Sequence, residues 1–370
     1  MIYKNLENTG ISIPAIAQGT ARIGNYAKST PENVRQRIDL LRYGISIGLT
    51  FIDTAELYGG GFSEEVVGKA IMGIRDKVFL ASKFNPRENV RKSIETSIEN
   101  SLKRLKTKYI DLYQIHWPNP SIPLDETMEA LSNLVDRGRV RYVGVSNFCL
   151  EDFKDAQSLF GKKLVSNQLE YNLLDRSVED DFIPYCNNND VTLLAYSPLN
   201  HGKIFCNNDQ KTVLEDIAQK YNKTSAQIVL RWLIEHKPVI VITKTNSMAR
   251  MKENAAAVEF DLDREDIVRI TALPKQNYIQ VPVNQITPQI YTSLQETEEN
   301  KLDLIPSPVN LAKLIIENRK YIKPIRICRS NNSYIFDTYD VMDQVKKYWA
   351  WILAYGYDTP IPAFLMEHQQ

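Results

Sequence analysis

The sequence predicts an α/β protein: a (β/α)8 TIM-type barrel followed by a second, smaller C-terminal α/β unit. Three observations predict it. Eight short apolar runs alternate with amphipathic helical stretches up to about residue 245, which favours parallel βαβ units closing into a barrel of ~250 residues. The turn after the first run reads AQGTARIG, whose glycines do not fit the G-x-G-x-x-G turn of an open doubly wound sheet. Past residue 275 the texture changes: Pro282, Pro288, Pro306 and Pro308 cluster with the acidic run QETEEN (295–300). The expected boundaries are 1–277 for the barrel and 278–370 for the smaller domain.

The elements follow in order. Residues 2–12 are expected to form a small hairpin plugging the barrel floor. The strands are IPAIAQ (13–18), LTFID (49–53), VFLAS (78–82), IDLYQIH (110–116), VRYVGVS (140–146), LVSNQ (164–168), VTLLAYS (191–197) and VIVIT (239–243). Between them Val90, Ile94, Ile98, Leu102 and Leu105 share one helical face after a cap at Asn85-Pro86. Met128, Leu131 and Val135 do the same before Gly138, a C-cap. Leu214 and Ile217, then Ile228, Leu230 and Leu233, supply two later helices. Beyond the linker come the amphipathic NLAKLIIEN, a strand KPIRIC, a strand SYIFD and an aromatic helix KKYWAWILAYG.

Composition is that of a water-exposed globular chain: 370 residues, 43% apolar, 24% charged, with 45 basic and 45 acidic side chains. That balance gives no reason to expect nucleic acid or an anionic membrane. Four scattered cysteines (Cys149, Cys186, Cys206, Cys328) and four histidines form neither a disulfide framework nor a metal site. No apolar run reaches the ~18 residues of a membrane span. The expectation is a cytoplasmic protein with reduced thiols.

In such a barrel the site is built at the carboxyl ends of the strands. The second strand ends at Asp53, with Tyr58 in the following loop; the third ends at Lys83 and the fourth at His116. Singly, each has a structural explanation: a helix cap, a solvated amine, a core histidine. Together they converge four ionisable groups on one spot.

The motifs DTAELYG, ASKF, YQIHWP, GVSNF, NQLEYN, AYSPL and KTNSMARMKEN, in this order, resemble the aldo-keto reductase family over residues 3–273. The resemblance implies a catalytic tetrad of Asp53, Tyr58, Lys83 and His116, reducing an aldehyde or ketone with NADPH. Physical chemistry supports the roles. A phenol with a pKa near ~10 is a weak acid at neutral pH, and an ammonium at Lys83 is expected to lower it. Asp53 holds Lys83, His116 orients the carbonyl oxygen, and Gly59, Gly60 and Gly61 let the loop backbone approach cofactor or substrate.

The resemblance also implies the cofactor contacts. Ser146, Asn147 and Gln168 meet the nicotinamide carboxamide and Tyr196 stacks on its ring, with Gly19, Thr20, Ser197 and Leu199 nearby. Lys244, Thr245 and Arg250 meet the 2′-phosphate, favouring NADP(H), while Glu253 and Asn254 meet the adenine. Phe84, Trp117 and Phe148 are candidate substrate walls. The partner is a small-molecule carbonyl compound, with no metal.

The stretches VPVNQITP, PSPVNLAKLIIENRKYIKPIRI and YWAWILAYGYDTPIPAFLM resemble a ParB-type N-terminal domain. Its nucleotide-cradling turn is replaced by TYDVMDQVKKYWAW, without glycine and with Lys346-Lys347. Nine Lys/Arg stand against ten Asp/Glu from residue 278 onward, which argues against DNA. A nucleotide, a protein partner or a second copy of the chain fits this unit, and Trp349 and Trp351 are expected to fill its core. The alternative to turnover is a regulatory or scaffold protein whose barrel senses the cofactor.

Overall fold

The computed structural model describes residues 1–119, 122–275, 278–281, 283–287, 308, 312, 315–316, 325–330, 333–336, 341–356 and 359–366. Its compact units are Met1–His116 with Leu124–Lys275, and Trp117–Pro123 with Gln276–Gln370.

In the first unit, β1 (Tyr3–Leu6) and β2 (Ile11–Pro14) pair antiparallel as the expected hairpin, extended to residue 14. Eight parallel strands then close a barrel: β3 (Ile16–Gly19), β4 (Phe51–Asp53), β5 (Phe79–Phe84), β6 (Ile110–Ile115), β7 (Val140–Ser146), β8 (Leu164–Glu170), β9 (Thr192–Tyr196) and β10 (Val239–Thr243). Closure is made where Val241, Ile242 and Thr243 pair with Ile16, Ala17 and Gln18. All eight expected strands are present, trimmed or extended by a few residues at their ends. Leu6 and Ile13 of the hairpin pack with Phe51, Leu112, Leu194 and Ile240 of the barrel interior. Each such buried aliphatic side chain stabilises the floor by about 1.5–3 kcal/mol.

The helices wrap the barrel for legible reasons. α1 (Pro31–Ser46) opens on a Thr30/Asn33 capping box with proline at its first position. α2 (Phe62–Ala70) follows the glycine turn. α3 (Val90–Leu105) buries the predicted Val90, Ile94, Ile98, Leu102 and Leu105. Its N-cap is Asn89 in the left-handed region, not Asn85-Pro86. The proline-containing segment instead continues out of β5, because the residue before a proline disfavours helical backbone. α4 (Leu124–Asp136) ends before Gly138, whose φ of +68° and N–H to Val135 O make it the expected terminator. α5 (Leu150–Phe160) and α6 (Phe182–Asn189) follow β7 and β8. α7 (Asn208–Tyr221) buries Leu214 and Ile217, and α8 (Ser225–Glu235) buries Ile228, Leu230 and Leu233. α9 (Met248–Ala255) and α10 (Arg264–Thr271) complete the unit. Cys149, Cys186 and Cys206 are all free thiols. Among the described residues no helix is long and apolar enough to cross a membrane.

The second unit carries a five-stranded mixed sheet in the order β11-β15-β13-β14-β12: Tyr278–Val281, Ile361–Met366, Ile325–Ser330, Ser333–Phe336 and Ile286–Thr287. A helix spans Val341–Tyr355, starting five residues before the expected KKYWAWILAYG. Val281, Val283, Ile286, Tyr348, Trp349, Ile361 and Ala363 form its core, with Trp351 packed against it and donating from Nε1 to Thr359 O at 3.0 Å. Both tryptophans thus serve the core. The proline-rich linker, QETEEN and most of NLAKLIIEN lie outside the described residues.

Candidate active site

The site grows from the carboxyl ends of adjacent strands. Register sets Gly19 beside Asp53, Asp53 beside Ala81, and Lys83 beside Gln114. The turn after β4 is pinned to β5: Thr54 N–H donates to Ala81 O and Glu56 N–H to Lys83 O. That pinning brings Tyr58 back over Lys83. Lys83 Nζ donates to Asp53 Oδ2 at 2.7 Å, Thr54 O at 3.0 Å and Tyr58 Oη at 3.1 Å. Lys83 is 0% exposed and Asp53 2%. His116 follows β6 directly, half-buried, with its ring 5.6 Å from that of Tyr58 and nearly perpendicular. The four residues named from the sequence therefore stand at one place. The Thr54 carbonyl is a fifth participant, invisible to sequence reading because it is backbone.

The electrostatics differ from expectation in one respect. Lys83 lowers the pKa of Tyr58, as the sequence leads one to expect, yet the phenol is held above its ordinary range. Burial is the main cause; Lys83 opposes it and the Asp53 charge adds to it. Lys83 is held above the usual lysine range: burial works against its charge, but Asp53 and Tyr58 outweigh it. Tyr58 accordingly carries its proton, and Lys83 its charge, at neutral pH.

Gly59, Gly60 and Gly61 all take positive φ, at 63°, 66° and 94°. A Cβ on Gly59 would lie 2.2 Å from Gly24 O, and one on Gly61 2.6 Å from Arg104 Cδ. Gly59 and Gly61 are thus required by a tight turn against neighbouring protein, while Gly60 faces open space.

Ser146, Asn147, Gln168 and Tyr196 form one network. Ser146 Oγ donates to Gln168 O at 2.9 Å, and Asn147 Nδ2 donates to His116 O at 3.0 Å and Ser146 Oγ at 3.1 Å. Tyr196 Oη donates to Asn147 Oδ1 at 2.9 Å. Asn147 holds a left-handed backbone at φ 62°, and Ser197 at φ 51°. Leu199 caps the short turn Asn200–Phe205. Thr20 uses its hydroxyl internally, donating to Asp53 O at 2.9 Å and accepting from Ser63 Oγ at 2.7 Å. At Gly19 a Cβ would meet Ile242 Cγ2 at 2.9 Å, so glycine is needed where the barrel closes.

Lys244 lies exposed beyond β10, and its pKa is lowered by partial desolvation and by the charges of Arg22 and Arg37. Those two arginines escaped sequence reading, although Arg22 in GTARIG follows the first strand closely enough to have signalled. Thr245 Oγ1 accepts from Ser247 N–H at 3.1 Å, and Ser247 caps α9, which carries the exposed Arg250 in its first turn. Glu253 accepts from the Thr224 hydroxyl at 2.6 Å, and Asn254 is buried.

Of the substrate walls, Phe84 is a correction. It is 0% exposed and stacks on Tyr113 at 4.8 Å. Alternation along β5 sends Lys83 into the barrel and Phe84 to the other face. Phe148 is buried and Trp117 half-buried.

The fold is thus a closed eight-stranded βα barrel with a phenol, an ammonium, a carboxylate and an imidazole gathered at its carboxyl face. The model of the aldo/keto reductase family matches residues 15–275. The chain belongs to that family. It is similar to the methylglyoxal reductase YeaE of Escherichia coli, 37% identical over 276 residues covering 73% of this chain and 94% of that protein. It is similar to the glyoxal reductase of Bacillus subtilis, 32% identical over 275 residues covering 74% and 93%. An aldo/keto reductase from Klebsiella pneumoniae, solved in complex with NADP and acetate, matches with a TM-score of 0.67 and 36% identity over 73% of this chain and 94% of that one.

Proposed function

We propose that the protein is an NADP(H)-dependent reductase of small polar aldehydes and ketones, α-dicarbonyl compounds foremost, with Tyr58 as proton donor. The observation that carries this reading is the hydrogen-bonded chain Asp53–Lys83–Tyr58, rooted in a buried ion pair. A dinucleotide phosphate fits the residues present: Lys244, Arg22 and Arg37 converge their charge, and the α9 N-terminus and Arg250 lie in the same segment. The substrate class comes from the methylglyoxal and glyoxal reductases among its relatives.

When bound, the reduced nicotinamide supplies a hydride to the carbonyl carbon. As negative charge develops on the carbonyl oxygen, Tyr58 releases its proton to that oxygen and becomes a phenolate. Lys83, held charged by Asp53, stabilises the phenolate until water reprotonates it. His116 offers the oxygen a second polar contact. Ser146, Asn147 and Gln168 orient the carboxamide, and Tyr196 supports the ring.

NADPH consumption is followed with methylglyoxal, glyoxal and sugar aldehydes. Turnover with at least one of them is expected in the native protein. It should fall by about 10²–10⁴ in Tyr58→Phe, with NADPH affinity retained. Tight NADPH binding without turnover on any carbonyl would instead indicate a cofactor-sensing regulator.

Residues 278–370 we assign to a separate ParB-like α/β domain, a reading supported by its own apolar core and by the helix that precedes the IPA strand.

A further inference from the structure

Gln168 lies at the carboxyl end of β8, 2% exposed. Its Nε2 donates to Asp53 Oδ1 at 2.9 Å, from a position 115 residues further along the chain. The other oxygen of the same carboxylate, Oδ2, accepts from Lys83, which donates onward to Tyr58. One carboxylate is thus divided between a glutamine on β8 and a lysine on β5. A carboxylate only accepts hydrogen bonds, so Gln168 must turn its NH2 toward Asp53 and its Oε1 away. Among the described residues that Oε1 accepts no hydrogen bond. It can therefore take an N–H from a ligand but cannot donate to one.

We propose that Gln168 is a positioning residue for the proton donor, tying whatever donates to its Oε1 to the acidity of Tyr58 through Asp53 and Lys83. Its catalytic consequence rests on the reductase reading above. The groups facing Tyr58 are Asp53 from β4, Lys83 from β5 and His116 after β6. The Asp53 charge makes Tyr58 hold its proton more firmly, and Lys83 does the opposite. An N–H from Gln168 draws charge out of Asp53 and weakens its hold. A ligand donating to Oε1 polarises the amide and strengthens the hydrogen bond from Nε2 to Asp53. Occupancy of the site therefore makes Tyr58 a better acid. By reciprocity, ionising Tyr58 tightens the ligand.

Gln168→Met keeps the volume and removes the donor; Gln168→Leu removes it with a shorter apolar side chain. The titration of Tyr58 is read in the ligand-free protein by NMR of Cζ-labelled tyrosine, its resonance assigned from Tyr58→Phe. The midpoint is expected to rise in both variants, by about half to one pH unit. The basic limb of the kcat/KM profile for carbonyl reduction should move the same way. If Gln168→Met does not fold, the Gln168→Leu midpoint decides alone. Unmoved midpoints in the folded variants, with weaker NADPH binding only, overturn the proposal and leave Gln168 a plain cofactor contact. An inactive native protein with raised midpoints in the variants sinks the reductase reading and not this one; an active protein with unmoved midpoints does the reverse.

Discussion

Asp53 and Lys83 form an ion pair 2.7 Å long whose side chains are 3% and 0% exposed. Removing one partner strands the other charge in the interior, which costs about 3–5 kcal/mol, more than the pair itself contributes. Asp53→Ala and Lys83→Met should each lose stability of that order in urea unfolding. The double variant Asp53→Leu/Lys83→Met should recover most of it and stay without turnover. A double variant as unstable as either single one would mean that packing, not the stranded charge, sets the cost.

The glycine turn makes a paired prediction. Gly59→Ala meets both a positive φ and a backbone oxygen, whereas a Cβ on Gly60 points into open space. Gly60→Ala should lose only the left-handed penalty, about 1–2 kcal/mol. Gly59→Ala should lose more, and kcat should fall with it because Tyr58 is the adjoining residue. Equal effects of the two substitutions on kcat would count against the turn as the positioner of Tyr58.

At the phosphate end, Lys244→Met and Arg250→Met should each weaken NADPH binding by about 10- to 100-fold and leave NADH almost unchanged. Fluorescence titration of both nucleotides reads the difference. Comparable losses for NADH would move these cations away from the 2′-phosphate.

The pH dependence of stability has a local source in α10. Asp266 titrates below its ordinary 3.8: burial pushes it upward, but hydrogen bonds from Lys220, Tyr221 and Arg269 more than compensate. Because its folded value is the lower one, its stabilisation is present above pH 3.8 and is lost as pH falls through the folded value. Asp266→Asn should therefore melt earlier than the native protein near neutral pH. That gap should narrow as the pH drops below 3.8. A gap constant with pH would assign the loss to packing.

Much of this was legible in the sequence, for identifiable reasons. Barrel strands buried on both faces leave near-continuous apolar runs, so all eight could be read directly. Strand ends carry the site, which made Asp53, Lys83 and His116 visible as polar interruptions. Side-chain parity was misjudged at Phe84, because a run buried on both faces gives no alternation to show which side faces the barrel. The cap of α3 was misplaced because proline at residue 86 imitates a helix start four residues early. The rise in Tyr58 was out of reach, since it depends on desolvation, and burial depth is a property of the folded packing alone. The Gln168–Asp53 bond was equally hidden, because its partners are 115 residues apart.

Barrel closure joins the first and last staves of the unit: Thr243 Oγ1 donates to Ala17 O across 226 residues of sequence. Contacts so distant along a chain form late, since the entropy of closing the loop must be overcome before they stabilise anything. During synthesis, β3 therefore keeps a bare edge until β10 has left the ribosome, and every intermediate before that is an open curl with two sticky rims. The hairpin, by contrast, joins residues only a few apart and can form at the outset, before the floor it will cover is complete. The nascent chain is most exposed to aggregation in the interval between those two events, and a chaperone that shields open sheet edges has most to offer it there.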